Sequence, residues 1–394
     1  MSSGRDWQRI KLKYLVSLQS GEAIDGKDIK DEGPYPVYGG NGLRGYTDSF
    51  THEGHRILIG RQGALCGNVN YAEGQFWATE HAIVATPRRD FNTVWLGEAL
   101  RAMNLNQYSQ SAAQPGIAVE VIENLDVAVP PIEQQDAIAT SLTARLAHID
   151  QLIQAKQGLL ETLAEKRRAL IAHAVTRGLN PALPLRDSGI EWLGAIPAHW
   201  HTERARRLFG ESRLPIEPND QMVTCFRDGT VTLRSNRRED GFTNGVIEHG
   251  YQGIRKGQLV LHSMDAFAGA IGVSDSDGKC TPEYVICDPL TNRTDAHYFA
   301  ALLREMALRR YVQAFCSAVR ERAPRIRFND FRDFVLPVPP LSEQQAIVEY
   351  IDRQTKPLMR LADQATHSLE LLKERRTALI AAAIQFPEET VRAT

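Results

Sequence analysis

The sequence predicts an α+β protein in which two mixed α/β globular segments alternate with two long helices that pair antiparallel, as in a coiled coil. Three observations lead to this expectation. A helical segment near the middle recurs near the end, a double proline precedes each copy, and the intervening stretches combine short β-rich runs with glycines. An internal repeat decides architecture before single elements are assigned, so we expect pseudo-two-fold internal symmetry.

The repeat is clearest where the two helices end. Residues 160–175 and 369–384 agree at ten of sixteen positions at a constant offset of 209. Ordinary residue frequencies would give about one match. The same offset aligns the double proline at 130–131 with the one at 339–340. The two segments are therefore copies of one unit.

A double proline introduces each long helix. Because proline cannot continue a strand or sit inside a helix, VAVPP and LPVPP each end one element and begin another. The Glu-Gln-Gln triplets that follow, at 133–135 and 343–345, differ by 210 rather than 209, which predicts a small shift between the copies. Pro357 inside the second helix predicts a kink or a break.

Each predicted helix carries large apolar residues seven positions apart or at multiples of seven. This spacing puts them on one face, which a helix of about 40 residues, roughly 60 Å long, cannot bury alone. We therefore expect the two helices to pair through these stripes. The pairing residues are Leu142, Ile149, Leu163 and Leu170 in the first helix and Ile351, Leu358, Leu372 and Leu379 in the second.

Length and composition fit two or three domains with sizeable cores, since the chain has 394 residues, 43% of them hydrophobic and 24% charged. No apolar run approaches the roughly 18 residues of a membrane span, so we expect a cytoplasmic protein with no membrane partner. The five cysteines form no CxxC pair, which favours reduced thiols and no metal site. The expected segments are a first globule (1–126), a helical repeat (127–178), a second globule (179–335), a second helical repeat (336–386) and a tail (387–394).

Charge is distributed unevenly along the chain. The net charge of −2 does not indicate a nucleic-acid binder, but eight arginines face only three carboxylates between Arg304 and Arg332. Local patches, rather than the total, decide whether a phosphate backbone is attracted.

Several quoted segments carry a resemblance to a known family. The helix starts read PPIEQQDAI and PPLSEQQAI, and the helix ends read LETLAEKRRALIAHAVTRG and LELLKERRTALIAAAI. The junction GIEWLGAIPAHW precedes the second globule, and YGGNGLRGY lies in the first. Together these resemble the specificity subunit of type I restriction-modification systems over nearly the whole chain.

The resemblance implies two target-recognition domains, each reading one half of a bipartite, non-palindromic site in double-stranded DNA. It also implies that the helices set the spacing and dock two DNA methyltransferase (modification) subunits, with restriction/translocase subunits completing the complex. Catalysis then belongs to the partners, which carry S-adenosylmethionine, ATP and Mg²⁺, and this chain holds no cofactor. The sequence agrees, because it lacks a GxxxxGK[ST] phosphate loop and an Asn- or Asp-Pro-Pro-aromatic methylation motif.

Two other classes of function remain open. The chain could be a stand-alone nuclease or methyltransferase, which activity of the purified protein without partners would support. It could also be a scaffold whose globules bind protein, which a failure to bind DNA in the presence of the methyltransferase would favour. The paired helices alone do not separate a scaffold from a DNA-specificity subunit.

In the first globule, candidate DNA-reading residues lie in loops, because direct readout uses arginine for guanine and amides for adenine at base edges. Glycines around residue 40 permit unusual backbone angles and close approach to phosphates. The alternatives are a simple hairpin turn there, a solvated turn after the strand RILIG, and a histidine that only caps a core strand. The candidates are Tyr38, Asn41, Arg44, Arg61, Gln62, Thr79 and His81.

In the second globule the candidates are again basic and amide residues near predicted strand ends, followed by an arginine run that could grip phosphates. An ordinary solvated face is the alternative for that run. Met264 and Asp265 are expected near the place that Arg61 and Gln62 take in the first globule, and Thr79-Glu80-His81 resembles Pro282-Glu283-Tyr284. The candidates are Arg227, Arg234, Asn236, Arg237, Arg238, His262, Ser263, Met264, Asp265, Arg320, Arg322, Arg325 and Arg327.

Overall fold

The structure is a computed structural model, and it describes residues 7–63, 65–109, 115–237, 250–312 and 325–384. The chain divides into two compact units, of which unit 1 comprises Met1–Gly158 with Ala365–Thr394 and unit 2 comprises Leu159–Gln364. Each unit therefore holds one globule and one half of each long helix. Among the described residues, no helix has the length and apolar character needed to cross a membrane.

The elements alternate as the sequence predicts, with β-rich globules before each long helix. Helices α1 to α7 span Thr93–Ala102, Val119–Glu123, Ile132–Arg177, Ala205–Leu208, Ala296–Leu308, Phe328–Phe331 and Leu341–Ile384. Strands β1 to β10 span Gln8–Lys11, Val16–Ser20, Tyr35–Gly39, Gly42–Thr47, His52–Glu53, Arg56–Gly60, Val69–Ala72, Gln75–Ala78, Ala82–Pro87 and Asp126–Val129. Strands β11 to β22 span Leu185–Asp187, Ala195–Pro197, His201–Arg204, Phe209–Glu211, Val223–Cys225, Val231–Leu233, Gln252–Ile254, Leu259–His262, Ile271–Val273, Gly278–Cys280, Tyr284–Pro289 and Val335–Val338.

The globule of unit 1 is built on an antiparallel sheet of order β2-β9-β6-β7. Ile57 and Ile59 on β6 face a core that includes Trp95 of α1, whereas Leu58 faces a second core that includes Phe76 of β8. The second core lies against a mixed sheet of order β4-β3-β8-β5. Both faces of β6 are therefore buried, which explains its continuous apolar run RILI.

The globule of unit 2 repeats this plan with a sheet of order β14-β21-β18-β19. Leu259 and Leu261 on β18 face a core that includes Phe299 of α5, and Val260 faces a second core with Ile254. The same strand order and the same two-sided burial recur in both globules. The faint similarity between the two halves of the sequence thus reflects one repeated sheet.

In unit 1, a buried glutamine joins the long helix to the globule. Gln135 is 3% exposed. Its side-chain nitrogen donates to the carbonyl of Pro130 at 2.8 Å, and its side-chain oxygen accepts from the backbone amide of Asn92 at 2.9 Å. Asn92 caps α1 by accepting from the backbone amide of Trp95. The double proline, the start of α3 and the start of α1 are therefore held at one point.

Unit 2 contains the same junction at an offset of 209. Gln344 is fully buried, donates to the carbonyl of Pro339 at 2.9 Å and accepts from the backbone amide of Asp295 at 2.9 Å. Asp295 caps α5. The predicted shift at the Glu-Gln-Gln triplets is therefore wrong, because the buried position keeps the constant offset and only the letters around it differ.

A tryptophan stands beside each of these junctions. In unit 1 the indole nitrogen of Trp7 donates to Gln134 at 3.2 Å, and in unit 2 that of Trp200 donates to Glu343 at 3.0 Å. Each tryptophan precedes a strand, β1 or β13, which pairs antiparallel with the strand before the double proline, β10 or β22. The two strands thus carry the tryptophans to the helix starts.

The halves of α3 and α7 run antiparallel within unit 1. Leu142 and Leu146 cluster with Ile380, and further along α3 Asp150 accepts from Nε of Arg376 at 2.9 Å. The partner positions on α7 thus fall as the positions on α3 rise. In unit 2, Ile171 and Ile351 pack against the same core.

The eight residues predicted to pair the helices are all buried or half-buried. Leu142, Ile149 and Leu163 are buried, and the other five are half-buried, namely Leu170, Ile351, Leu358, Leu372 and Leu379. Helix α7 is continuous through Pro357, so it does not break there. One missing backbone hydrogen bond does not end a helix of 44 residues whose other face is packed.

Candidate nucleic-acid interface

In unit 1, the glycine loop is a tight β-hairpin. Strands β3 and β4 pair up to Gly39 and Gly42, which leaves Gly40 and Asn41 as a two-residue connection. A Cβ on Gly60 would lie only 2.4 Å from the carbonyl oxygen of Gly40. Glycine is therefore required at this crossing so that the hairpin can touch the end of β6, a role within the chain itself.

The crossing creates an open cleft of about 530 Å³ at the end of β6. Asn41, Arg44 and Gln62 are exposed there, and His81 is half-buried. The side-chain oxygen of Asn41 accepts from Asn68 at 3.1 Å. These four side chains (Asn41, Arg44, Gln62 and His81) form the first strand-end surface. The sequence-predicted candidates from three separate loops thus meet at one place.

Arg61 lies beside this surface but is held by the protein. Its side chain is half-buried and donates to Ser20 Oγ at 3.1 Å. Its backbone donates to the carbonyl of His81 at 2.8 Å and accepts from the amide of Ile117 at 3.0 Å. The backbone of Arg61 therefore positions the loop. Its guanidinium would have to give up the hydrogen bond to Ser20 in order to form two hydrogen bonds with a base.

The other two candidates of the first globule have structural surroundings. Thr79 is fully buried, and its hydroxyl accepts from the backbone amide of His81 at 3.4 Å. Tyr38 is half-buried with its ring edge-on to Phe76 at 5.8 Å. Burial, followed by the nearby Tyr46, raises the pKa of Tyr38 and keeps the phenol neutral. Neither side chain is presented as openly as those of the first strand-end surface.

In unit 2, the two backbone hydrogen bonds that Arg61 makes at the end of β6 recur at the end of β18. We call this pair of hydrogen bonds the backbone frame. The backbone amide of Ser263 donates to the carbonyl of Glu283 at 2.8 Å, and the carbonyl of Ser263 accepts from the amide of Ile326 at 3.0 Å. Arg61 makes the same two backbone hydrogen bonds with its own partners. Ser263 is therefore the counterpart of Arg61, and Met264 is the counterpart of Gln62. Met264 and Asp265 thus lie near the place of Arg61 and Gln62, as expected, although only Met264 is equivalent to one of the two.

The same hydrogen bonds correct the predicted resemblance between Thr79-Glu80-His81 and Pro282-Glu283-Tyr284. Because Glu283 takes the place of His81, the segment Thr79-Glu80-His81 corresponds to Thr281-Pro282-Glu283 rather than to residues 282–284. The glutamates Glu80 and Glu283 are not at equivalent positions, because the backbone hydrogen bonds define the register.

Around Met264, four side chains form the second strand-end surface (Arg227, Met264, Asp265 and Arg325). Arg227 donates to Asp265 at 2.9 Å, and Met264 is 40% exposed. Arg325 donates to Glu283 at 3.1 Å and lies 3.7 Å from the Met264 sulfur. Both arginines are exposed and are held by half-buried carboxylates. Ion pairs at the surface are weak enough to exchange partners.

His262 lies at the edge of this surface. Its Nδ1 accepts from the backbone amide of Asp265 at 3.2 Å, and its ring packs edge-on to Tyr284 at 4.7 Å. Burial lowers the pKa of His262, although the charges of Asp265 and Glu283 act in the opposite direction. A neutral imidazole is what the hydrogen bond to Nδ1 requires.

The remaining described candidates of the second globule bond to their own hairpin, β15–β16. Arg234 donates to Thr224 at 3.2 Å, and Asn236 donates to Thr232 at 2.8 Å. The Arg237 guanidinium pairs with Asp228 at 2.6 Å and lies 4.8 Å from the centre of the Phe226 ring. Burial opposes ionisation of Asp228, but hydrogen bonds from Thr230 and Arg237 hold its pKa below the ordinary value.

Four arginines were predicted as a phosphate-gripping run, and two of them are described. Arg325 belongs to the second strand-end surface, and the backbone amide of Arg327 donates to Asp330 at the start of α6, at 2.8 Å. Arg320 and Arg322, like the candidate Arg238, lie outside the described residues. In the described part of the chain, no group of three or more His, Cys, Asp or Glu side chains could hold a metal ion.

The fold and these surfaces define a class of protein in which one backbone frame is repeated and carries different exposed side chains. Residues 4–162 match the family described as "Type I restriction modification DNA specificity domain". Over 139 residues the chain is 46% identical to the "Type I restriction enzyme EcoprrI specificity subunit" of Escherichia coli, covering 34% of this chain and 35% of that relative. Over 410 aligned positions it is 21% identical to the Escherichia coli "Type I restriction enzyme EcoDI specificity subunit", covering 98% of this chain and 90% of the relative.

A solved structure from work on complex assembly and conformational transition of the type I R-M system shares the fold. It covers 98% of both chains with a TM-score of 0.65 and 16% identity. The predicted fold class, with mixed α/β globules and long helices, is thereby confirmed. Residues 4–162 thus match the type I restriction-modification specificity family, so the resemblance predicted from the helical repeats is confirmed as well.

Proposed function

We propose that this chain is the non-catalytic, DNA-binding specificity subunit of a type I restriction-modification complex. Each globule reads one half of a bipartite, non-palindromic site in double-stranded DNA, and partner subunits carry out adenine methylation and restriction. The observation that carries the proposal is the repeated frame at the ends of β6 and β18, where Gln62 and Met264 occupy equivalent places. Equal frames that present unequal side chains suit the reading of two different sequences.

The side chains of the first strand-end surface have the chemistry of base readout. Gln62 and Asn41 offer amides for adenine, Arg44 offers a forked donor for guanine, and all three are exposed on one cleft. Arg61 would add a second guanidinium if it exchanges Ser20 for a base. Three loops that converge on one cleft can address neighbouring base pairs together.

The second strand-end surface is chemically different. Met264 offers an apolar contact of the kind that suits a thymine methyl group, and Asp265 offers an acceptor for cytosine. Arg227 and Arg325, together with Arg320 and Arg322, would grip phosphates and fix the position on the duplex. This surface should therefore prefer a half-site unlike that of the first.

The helix junctions support the proposed partners. Each unit has a tryptophan and a buried glutamine at the start of a long helix, so the chain offers two equivalent places for two methyltransferase subunits. S-adenosylmethionine, ATP and Mg²⁺ belong to the methyltransferase and restriction/translocase partners, and the complex works in the cytoplasm. The domain boundaries at 126, 178, 335 and 386 are part of the same proposal.

Co-expression with the cognate methyltransferase, followed by genome-wide mapping of methylated adenines, tests this function. One bipartite motif should appear, and cells with the methyltransferase alone should lack it. Binding of DNA by the purified complex should show the same motif. Absence of both methylation and DNA binding in the reconstituted complex would favour a protein-binding scaffold, and nuclease or methyltransferase activity of the isolated chain would favour a stand-alone enzyme.

A further inference from the structure

Unit 2 contains a cavity of about 670 Å³ between its globule and its halves of α3 and α7. Ile171, Ile271 and Ile351 give the cavity an apolar floor. The side chains of Arg167 on α3 and Arg304 on α5 also line it. An apolar floor with two converging guanidinium groups is a typical arrangement for a ligand that is partly apolar and partly anionic.

The first of these arginines lacks the carboxylate that its counterpart has in unit 1. At the offset of 209, Arg167 corresponds to Arg376, and Met359 corresponds to Asp150. In unit 1, Arg376 donates to Asp150 at 2.9 Å. In unit 2 a methionine stands where the carboxylate would be. The Nε of Arg167 is buried and has no hydrogen-bond partner among the described residues.

The second arginine, Arg304, likewise lacks the carboxylate partner that its counterpart has in unit 1. The equivalent caps of α1 and α5 are 203 residues apart, which aligns Arg101 with Arg304 and Glu98 with Ala301. In unit 1, Arg101 forms an ion pair with the buried Glu98. In unit 2 that carboxylate is replaced by a methyl group.

Arg304 instead uses backbone oxygens. It donates to the carbonyl of Gly269 at 2.9 Å and to that of Arg227 at 3.2 Å. Burial, and next the positive charge of Arg167, lower the pKa of Arg304, although the charges of Asp228 and Glu305 act in the opposite direction. Two like charges near one cavity repel each other unless an anion lies between them.

The space itself arises from a third difference between the units. Tyr71 lies opposite Ile57 in unit 1, and Val273 lies opposite Leu259 in unit 2, so the two positions are equivalent. The Tyr71 hydroxyl donates to Glu98 at 3.0 Å, and its ring packs directly on α1. In unit 2 the smaller Val273 leaves this volume open.

The carboxylates that do line the cavity have hydrogen-bond partners of their own. Asp352 accepts from Lys356 at 2.9 Å, Glu305 accepts from Arg309 at 2.5 Å, and Asp275 accepts from Ser276 at 2.5 Å. Arg168 and His297 also line the cavity. Unit 2 therefore contains both arginines but lacks the two carboxylates that neutralise their counterparts in unit 1.

We propose that this cavity binds a small organic anion, with a phosphate or carboxylate group on an apolar body. Its oxygens take the place of the two carboxylates that unit 1 supplies internally, and accept from the guanidinium groups of Arg167 and Arg304. Arginine binds phosphate and carboxylate oxygens through two parallel hydrogen bonds, which gives both affinity and orientation. The apolar body rests on the isoleucine floor, and the volume lies within the range of roughly 300–1,000 Å³ of small-molecule sites.

Titration calorimetry of the full chain with phenyl phosphate tests the site. We expect one saturable site per chain, with inorganic phosphate binding about tenfold more weakly because it lacks the apolar body. Met359→Asp gives Arg167 the carboxylate found in unit 1 and should weaken phenyl phosphate binding about tenfold or more. The matched change Asp150→Met in unit 1 should leave binding unchanged, since Tyr71 and Glu98 still fill the equivalent space.

The outcome does not depend on DNA or on a methyltransferase, so it is separate from the proposed function. Circular dichroism of each variant checks that it folds, and Arg167→Met offers a second variant that should also lose binding. The absence of a saturable site would overturn the proposal. Binding that survives Met359→Asp and Arg167→Met, or that Asp150→Met removes equally, would place the anion elsewhere and overturn it as well.

Discussion

The side-chain oxygen of Gln344 accepts a hydrogen bond from the backbone amide of Asp295 at 2.9 Å, and thereby fastens the start of α7 to the start of α5. The same side chain donates to the carbonyls of Pro339 and Arg293 at 2.9 Å and 3.0 Å. A fully buried amide with three partners can be replaced by no apolar side chain without leaving polar groups unpaired. The helix start in unit 2 therefore depends on this residue.

Gln344→Leu should lower the free energy of unfolding by roughly 2–4 kcal/mol, because it removes the hydrogen-bond partner of one amide and two carbonyls, of which the Pro339 carbonyl is in a buried hydrogen bond. Gln345→Leu, at the exposed neighbouring position, is the matched control and should change it by less than about 0.5 kcal/mol. Urea unfolding followed by circular dichroism measures both. Equal losses in the two variants would show that the junction does not stabilise the fold.

Leu142→Asp should destabilise unit 1 by several kcal/mol, about 3 or more, because it places a charge in the cluster with Leu146 and Ile380. Leu371→Asp is the control, since Leu371 is 51% exposed on the other long helix. Thermal unfolding compares the two. If both aspartates are tolerated equally, the helix halves are not packed together as described.

Acid should destabilise the protein partly through His262. Burial lowers the pKa of this imidazole below its ordinary value of 6.5 in the folded state. As pH falls below that value, the unfolded chain takes up a proton that the folded chain does not, so stability falls. The thermal midpoint should therefore drop less in His262→Gln than in the wild type between about pH 7.5 and 5.5. His148→Gln, at an exposed position, should follow the wild type, and a reversed order would contradict the assignment.

The fold could be predicted from the sequence because its signals are local and repeated. The double prolines, the seven-residue stripes and the constant offset each mark an element boundary or a face, and no long-range contact is needed to see them. The glutamine junction shows where residue identity alone misleads. The Glu-Gln-Gln triplets predicted a one-residue shift between the two repeats, whereas the equivalent buried residues, Gln135 and Gln344, keep the constant offset of 209.

The site could be predicted only in part, because its frame is set by backbone hydrogen bonds between distant segments. Strand-end loops identified Gln62 and Asn41, but the counterpart of Arg61 is Ser263, and only its bonds to Glu283 and Ile326 identify it. Thr79 was selected by residue type, yet it is buried. The cavity of unit 2 could not be predicted from the sequence. It is recognised only when the contacts within unit 1, such as that of Arg376 with Asp150, are compared with those within unit 2.

Gln62→Ala should change only the half-site read by the first globule. The side chain is exposed on the cleft, so its loss should cost roughly 1–3 kcal/mol of discrimination and leave the fold intact. Arg61→Ala should affect the same half-site, with an added loss of stability from its contact with Ser20. Met264→Ala, at the equivalent position in unit 2, should change only the other half-site, as should Arg237→Ala.

Genome-wide mapping of methylated adenines with the wild type, Gln62→Ala and Met264→Ala is the most direct measurement of the central claim that two equivalent frames read two different sequences. The account predicts a single bipartite, non-palindromic motif for the wild type, relaxed in one half by Gln62→Ala and in the other half by Met264→Ala. A continuous or palindromic motif, or a variant that alters both halves together, would contradict it.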